Sequence, residues 1–158
     1  MKNVVVYMII SFFVGVLLTL MPLPHFLNWF RPQWIFLILL FWVVRAPEYC
    51  DIGIAWLMGF LMDCFLGTLP GQHALVYTFL IYIVLKFHAP FSNLPRWQQM
   101  GVILFFSTAN LLLQKIIFNT TGNNISGAEY WLPILWSTLF WPWIYALLNH
   151  LYPKRIIY

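Results

Sequence analysis

Residues 31–45 read Arg-Pro-Gln-Trp-Ile-Phe-Leu-Ile-Leu-Leu-Phe-Trp-Val-Val-Arg. Eleven apolar residues, Trp34–Val44, stand between two arginines fourteen positions apart. As a helix, that interval covers about 21 Å. The hydrocarbon layer is about 30 Å thick, so the segment crosses it only if both guanidinium groups snorkel to the interfaces. The alternative is a re-entrant or interfacial segment. Read as a span, this stretch makes a six-span protein; otherwise the chain has five.

The remaining spans are predicted on either side of it. They are Val4–Met21, Ile52–Leu66 (reaching as far as Leu69), about Ala74–Phe87, Met100–Phe118 and about Trp131–Tyr152. The helix breakers Pro22, Pro24, Pro47, Gly67, Pro70, Gly71, Pro90, Pro95, Gly122 and Gly127 all fall between them. Met1-Lys2-Asn3 ahead of an apolar run looks like a signal peptide. The run is eighteen residues long with no small-x-small cleavage site after it, so it reads as a retained first span. Short connections predict antiparallel neighbours. The expectation is an all-α, polytopic membrane protein, residues 1–158 forming one transmembrane helical domain.

Composition demands lipid as the solvent. Of 158 residues, 63% are hydrophobic and 8% charged, against roughly a quarter charged in a soluble domain. The net charge of +4 comes from basic residues scattered singly, with no patch for nucleic acid. Their use is orientation. With six spans and the N-terminus inside, Lys2, Arg45, Lys86, Arg96, Lys154 and Arg155 are cytoplasmic and only Arg31 is outside, Lys115 lying within span five. A five-span chain with the N-terminus outside scores the same. The α-amine beside Lys2 favours an inside N-terminus, and both arrangements put the C-terminus in the cytoplasm. Trp29, Trp34, Tyr130 and Trp131 then fall at the outer interface, and Trp42, Trp56, Trp97 and Tyr152 near the inner one.

Asp63 is the residue inside the membrane most in need of a reason. It lies about 18 Å along its helix from Asp51, in the outer half. A carboxylate at such depth costs about 2.5–3.5 kcal/mol on insertion scales. Ala55, Gly59, Asp63 and Gly67 recur at spacing four, a stripe along which another helix approaches closely. Asp63 is therefore expected in a helix–helix seam, as a structural hydrogen-bonding group or as a proton, ion or substrate site. Lys115 and Arg31 match its depth and are candidate partners. Ser107, Asn110 and Gln114 share one face of span five and read as interhelical hydrogen-bonding groups. Trp141-Pro142-Trp143 stands mid-helix in span six. Pro142 frees a carbonyl, and Ser137 and Thr138 one turn back are candidates to satisfy it. The flanking indoles suit either a lateral contact surface or packing within the bundle.

No nucleophile–base pair, phosphate loop or close carboxylate pair is readable. Cys50 and Cys64 are about 21 Å apart along a helix and cannot pair. His25, His73, His88 and His150 have no ligand spacing, so no metal is expected. Residues 119–121 and 124–126 match glycosylation sequons, which arise often by chance.

Taken in order, several short motifs resemble a known family. Arg31-Pro32-Gln33-Trp34 opens span two, and Gly59-Phe60-Leu61-Met62-Asp63 leads to Gly67 in span three. Trp97-Gln98-Gln99 opens span five, and Leu139-Phe140-Trp141-Pro142-Trp143 sits in span six. The set, over about residues 4 to 150, is similar to the MreD rod shape-determining proteins of Gram-negative bacteria. The resemblance implies a non-enzymatic, cofactor-free inner-membrane component of the cell-wall elongation machinery. Its implied partners are MreC, the actin-like MreB and wall-synthesis enzymes. It implies a six-helix fold similar to the substrate-binding subunits of vitamin-uptake transporters. It marks Arg31, Pro32, Gly59, Asp63 and Gly67 as structural or contact positions, beside Trp141, Pro142 and Trp143. The rival expectation is a small-molecule-binding transporter subunit, with Asp63, Asn110, Gln114 and Lys115 lining a pocket. Such subunits dock through a spaced-alanine stripe in the first span, which is missing here: only Gly15 breaks the bulky run.

Overall fold

Trp34–Arg45 forms a helix whose residues Ile35 to Val44 are all buried. A helix apolar on every side has no solvent-facing stripe and belongs in the middle of a bundle. That is where this computed structural model, which describes residues 2–22, 24, 30–87, 94–120 and 127–151, places it. Among the described residues six α-helices follow in order: α1 Lys2–Leu20, α2 Trp34–Arg45, α3 Ile52–Leu66, α4 Gln72–Lys86, α5 Arg96–Thr120 and α6 Leu132–Leu151. A 3-10 turn, Ala128–Trp131, leads into α6. No strand occurs among the described residues. His25, Trp29, His88, Pro90, residues 121–126 (the last residue of the first sequon and the whole of the second), Tyr152, Lys154 and Arg155 lie outside the described residues.

The central helix is short because its ends are tied to protein groups. It packs against α1, α4 and α6. At one end the Gln33 backbone N–H donates to Ser137 Oγ at 2.9 Å, and at the other Arg45 Nη2 donates to Asn149 Oδ1 at 2.7 Å. The two contacts are spaced equally along α2 and α6, so these helices run parallel. Against α1 the order reverses: Arg31 reaches the carbonyls of Thr19 and Met21, while Trp42 Nε1 donates to Ser11 Oγ at 2.7 Å. Thus α1 and α2 are antiparallel. Aromatic edges fill the spaces between, Trp34 against Phe140 and Phe41 against Tyr145, each with ring centroids 5.5 Å apart.

The other helices are amphipathic in the sense that suits lipid. All of them turn large apolar side chains outward, and in α3 the buried stripe is small or polar apart from Met62. In α3 the buried residues are Ala55, Gly59, Met62 and Asp63, while Trp56, Phe60 and Phe65 face outward. α1 exposes Ile9, Phe13 and Leu17 in the same way. By length and apolarity one helix, Trp97–Thr120, suffices alone to cross a membrane; Val4–Leu20, Trp34–Arg45, Ile52–Leu66 and Gln72–Lys86 are apolar but shorter.

Trp141 and Trp143 part company. Trp141 is 1% exposed and packs against Tyr145, whereas Trp143 is 76% exposed. α6 stays helical through Pro142. The Ser137 and Thr138 hydroxyls do not serve the carbonyl that Pro142 frees. Ser137 accepts from Gln33, and Thr138 donates to Ile134 O at 2.9 Å. A threonine hydroxyl in a helix reaches the carbonyl one turn behind it, not its own.

Candidate functional site

Among the described residues, Asp63, Gln72, His73, Asn110 and Ser137 are buried polar groups near the end of the bundle where α1 finishes and α2 and α4 begin, whereas Ser11 and Gln99 are buried elsewhere. Asp63 is the centre of the first set and is 2% exposed. Its carboxylate sits on the N-terminus of α4. Oδ2 accepts from the backbone N–H groups of Gly71 at 2.9 Å and Ala74 at 3.4 Å. Oδ1 accepts from the His73 backbone N–H at 2.9 Å and from Thr68 Oγ1 and His73 Nδ1, each at 2.8 Å. The first N–H groups of any helix lack an intrahelical partner and carry partial positive charge. A carboxylate from the preceding helix supplies both the acceptor and the negative charge. This is why α4 begins at Gln72, two residues before its apolar run suggests.

The two glycines of the α3 motif have separate tasks around that carboxylate. Gly59 lies one turn before Asp63 on the same stripe. A Cβ there would sit 2.4 Å from Ala74 Cα and 2.5 Å from Ala74 N. The absence of a side chain is what lets α3 approach α4 closely enough for Asp63 to reach. Gly67 ends α3 in the left-handed conformation, φ 65°, which glycine adopts without steric cost. It turns the chain back within five residues, and α3 and α4 form the most extensive helix pair of the fold.

The depth-matched cations are not partners of Asp63. Arg31 Nη1 donates to Thr19 O at 2.8 Å and Nη2 to Met21 O, so its charge lies on the negative C-terminal end of α1. Lys115 lies over the rings of Trp131 and Tyr130, at 5.4 and 5.7 Å from their centroids, a cation–π arrangement. Matched depth fixes height along the bundle but says nothing of azimuth. The side-chain partner of Asp63 across the hairpin is instead His73, ten residues on in the facing helix, with Nδ1 2.8 Å from Oδ1.

A second set of polar contacts joins α2, α4, α5 and α6. Asn110 Nδ2 donates to Gln33 Oε1 at 2.6 Å and Gln114 Nε2 to Asn110 Oδ1 at 2.9 Å. Gln33 Nε2 reaches Ser107 O at 3.3 Å, and Gln72 Nε2 reaches Gln114 O at 3.4 Å. Pro32 precedes this cluster, its carbonyl accepting from Trp34 N at 2.9 Å. The shared face of Ser107, Asn110 and Gln114 was readable. The hydrogen-bonding roles of Gln33, Gln72, Thr68 and His73 are not legible in the sequence, because nothing in spacing reveals which loop-end residue folds back on which helix. A double-mutant cycle of Gln33→Leu and Asn110→Leu, read by denaturation of the purified protein, is expected to give a coupling of about 0.6–1.7 kcal/mol.

The two thiols differ. Cys50, in the turn before α3, is buried. Burial, and then the charge of adjacent Asp51, push it up to about 12, so it stays an unreactive thiol at neutral pH. Cys64 is exposed on α3.

A small helical bundle with a large apolar exterior, whose buried polar groups tie one helix to the next, defines a membrane protein built for packing. The chain belongs to the MreD family: the family model for rod shape-determining protein MreD matches residues 1–151. The rod shape-determining protein MreD of Haemophilus influenzae is 34% identical over 153 residues, covering 94% of this chain and 92% of that protein. No solved structure matches the chain. The likeness to vitamin-uptake subunits that the motifs imply therefore has no support from that side.

Proposed function

We propose that this chain is a non-enzymatic, six-span inner-membrane component of the wall-elongation machinery, acting in rod-shape maintenance with MreC and MreB and supporting peptidoglycan synthesis. The observation that carries the reading is the family match across nearly the whole chain. The engagement of Asp63, Arg31, Asn110 and Gln114 in joining helices supports a scaffold rather than a reaction centre. The six-span topology, as one transmembrane domain with both termini cytoplasmic, is supported by α2. It lies alongside α6 from Ser137 to Asn149, as a crossing helix does and a re-entrant loop does not. In this topology the end carrying Asp63 faces outward.

The transporter alternative needs a ligand pocket. The cavity beside Asn110 and Gln114 holds about 130 Å³, while ligand sites commonly span roughly 300–1,000 Å³. The scaffold reading therefore stands ahead of it. The direct experiment is replacement of a rod-shaped bacterium's own MreD by this chain carrying an affinity tag. MreC is expected to co-purify from its membranes, and withdrawal of the chain is expected to round the cells. Rods that persist after complete withdrawal count against the reading.

A further inference from the structure

The cavity at the polar end is small for a metabolite, and several polar side chains line it among apolar ones. Gln33, His73, Tyr77, Asn110 and Gln114 all border it. Of these, Asn110 is 1%, Tyr77 4% and His73 7% exposed. Their hydrogen-bonding capacity is only partly used. His73 Nδ1 is engaged with Asp63 Oδ1 at 2.8 Å, which leaves Nε2 as the second polar atom of the ring. The Asn110 amide spends one of its two hydrogens on Gln33, and the Gln114 amide one of its two on Asn110. No hydrogen bond to the Tyr77 hydroxyl occurs among the described residues. Donors and acceptors therefore converge on one space from α2, α4 and α5.

We propose that this cavity is a binding site for a cluster of ordered water, which links the Gln33–Asn110–Gln114 amides to His73 and through it to Asp63. The volume of about 130 Å³ accommodates roughly four molecules at about 30 Å³ each, and the polar groups of the lining supply the two to four partners that a buried water needs. In lipid, where no bulk water relieves an unmet polar group, such a cluster completes the network. It also gives the buried Asp63–His73 pair a route for proton exchange, which a dry seam would deny it.

X-ray radiolysis of the full-length chain in lipid nanodiscs tests this, because hydroxyl radicals formed from bound water oxidise side chains beside it. Met62 lines the cavity, whereas Met8, buried in α1, does not. Both are buried, 3% and 6% exposed, so accessibility alone does not separate them. Met62 is expected to form sulfoxide at least about tenfold faster than Met8. Asn110→Leu should bring Met62 down towards the rate of Met8 while Met8 stays slow, which shows that the bundle is intact. Equal, slow oxidation of the two methionines in the wild-type chain overturns the proposal. So does a Met62 rate that is untouched by Asn110→Leu.

Discussion

Asp63→Ala loosens the α3–α4 hairpin and destabilises the chain by about 3–5 kcal/mol, the range found when one partner of a buried charged contact is removed. The magnitude follows from what is left behind. The N–H groups of Gly71, His73 and Ala74 lose their acceptor at once, and so does the Thr68 hydroxyl. Each unmet buried donor costs about 1–3 kcal/mol. The His73 and Ala74 donors are buried, while those of Thr68 and Gly71 are part-buried, so the first two carry most of the loss. Asp63→Asn separates charge from shape. Its amide keeps one oxygen for the helix end but turns an NH2 towards donors, so an intermediate loss is expected. Thermal unfolding of the purified protein in detergent reads both. An alanine variant that melts with the wild type would remove the helix-capping role.

Gly59→Ala has the second-largest expected effect, though it adds a single methyl group. The nearest atoms are the Ala74 backbone, at 2.4 and 2.5 Å, and backbone at a helix start cannot swing aside as a side chain does. The two helices must part, which withdraws Asp63 from its donors as well. Overpacking of this kind costs about 1–3 kcal/mol, and the lost capping places Gly59→Ala at the upper end. Two other glycines calibrate the claim. Gly15→Ala meets the side-chain ends of Ile38 and Ile35 at 2.6 and 3.0 Å, which can rotate, so its loss should be smaller. Gly67→Ala meets nothing within 4 Å but forces φ 65° on an L-residue, worth about 1–2 kcal/mol. The order Gly59 > Gly67 > Gly15, measured in one denaturation series, checks the helix-approach account. Gly15 emerging as the most sensitive would reverse it.

Much of this architecture is legible in the sequence, because apolar runs and Pro/Gly punctuation report on helices directly. Ile52–Leu66 ends as the sequence predicts, and the stripe Ala55, Gly59, Asp63 is the face that packs. Span two is where reading by length alone falters. Eleven apolar residues look too few for a membrane, but α2 meets protein on all sides, and Arg31 and Arg45 end on a helix terminus and on Asn149 rather than in solvent. The partners of Asp63 were hidden for another reason. Depth along a helix can be counted from sequence, so Lys115 and Arg31 matched. Which faces meet depends on how the α3–α4 turn folds, and that turn brings Thr68, Gly71 and His73 over the carboxylate. The split of Trp141 from Trp143 is likewise open: residues two apart lie on nearly opposite faces of a helix, one to the core and one outward, and composition does not say which is which.

Asp63 and its neighbours tie α3 to α4, which is where the proposed scaffold role is most exposed to test. The most direct measurement replaces a rod-shaped bacterium's own MreD with the Asp63→Ala chain and reads cell shape and folded-protein abundance in the same cells. The account predicts that both fall together, and that raising expression until folded protein recovers restores rods. Round cells containing the Asp63→Ala protein, folded and at wild-type abundance, would contradict it and make the carboxylate a working group instead of a structural one.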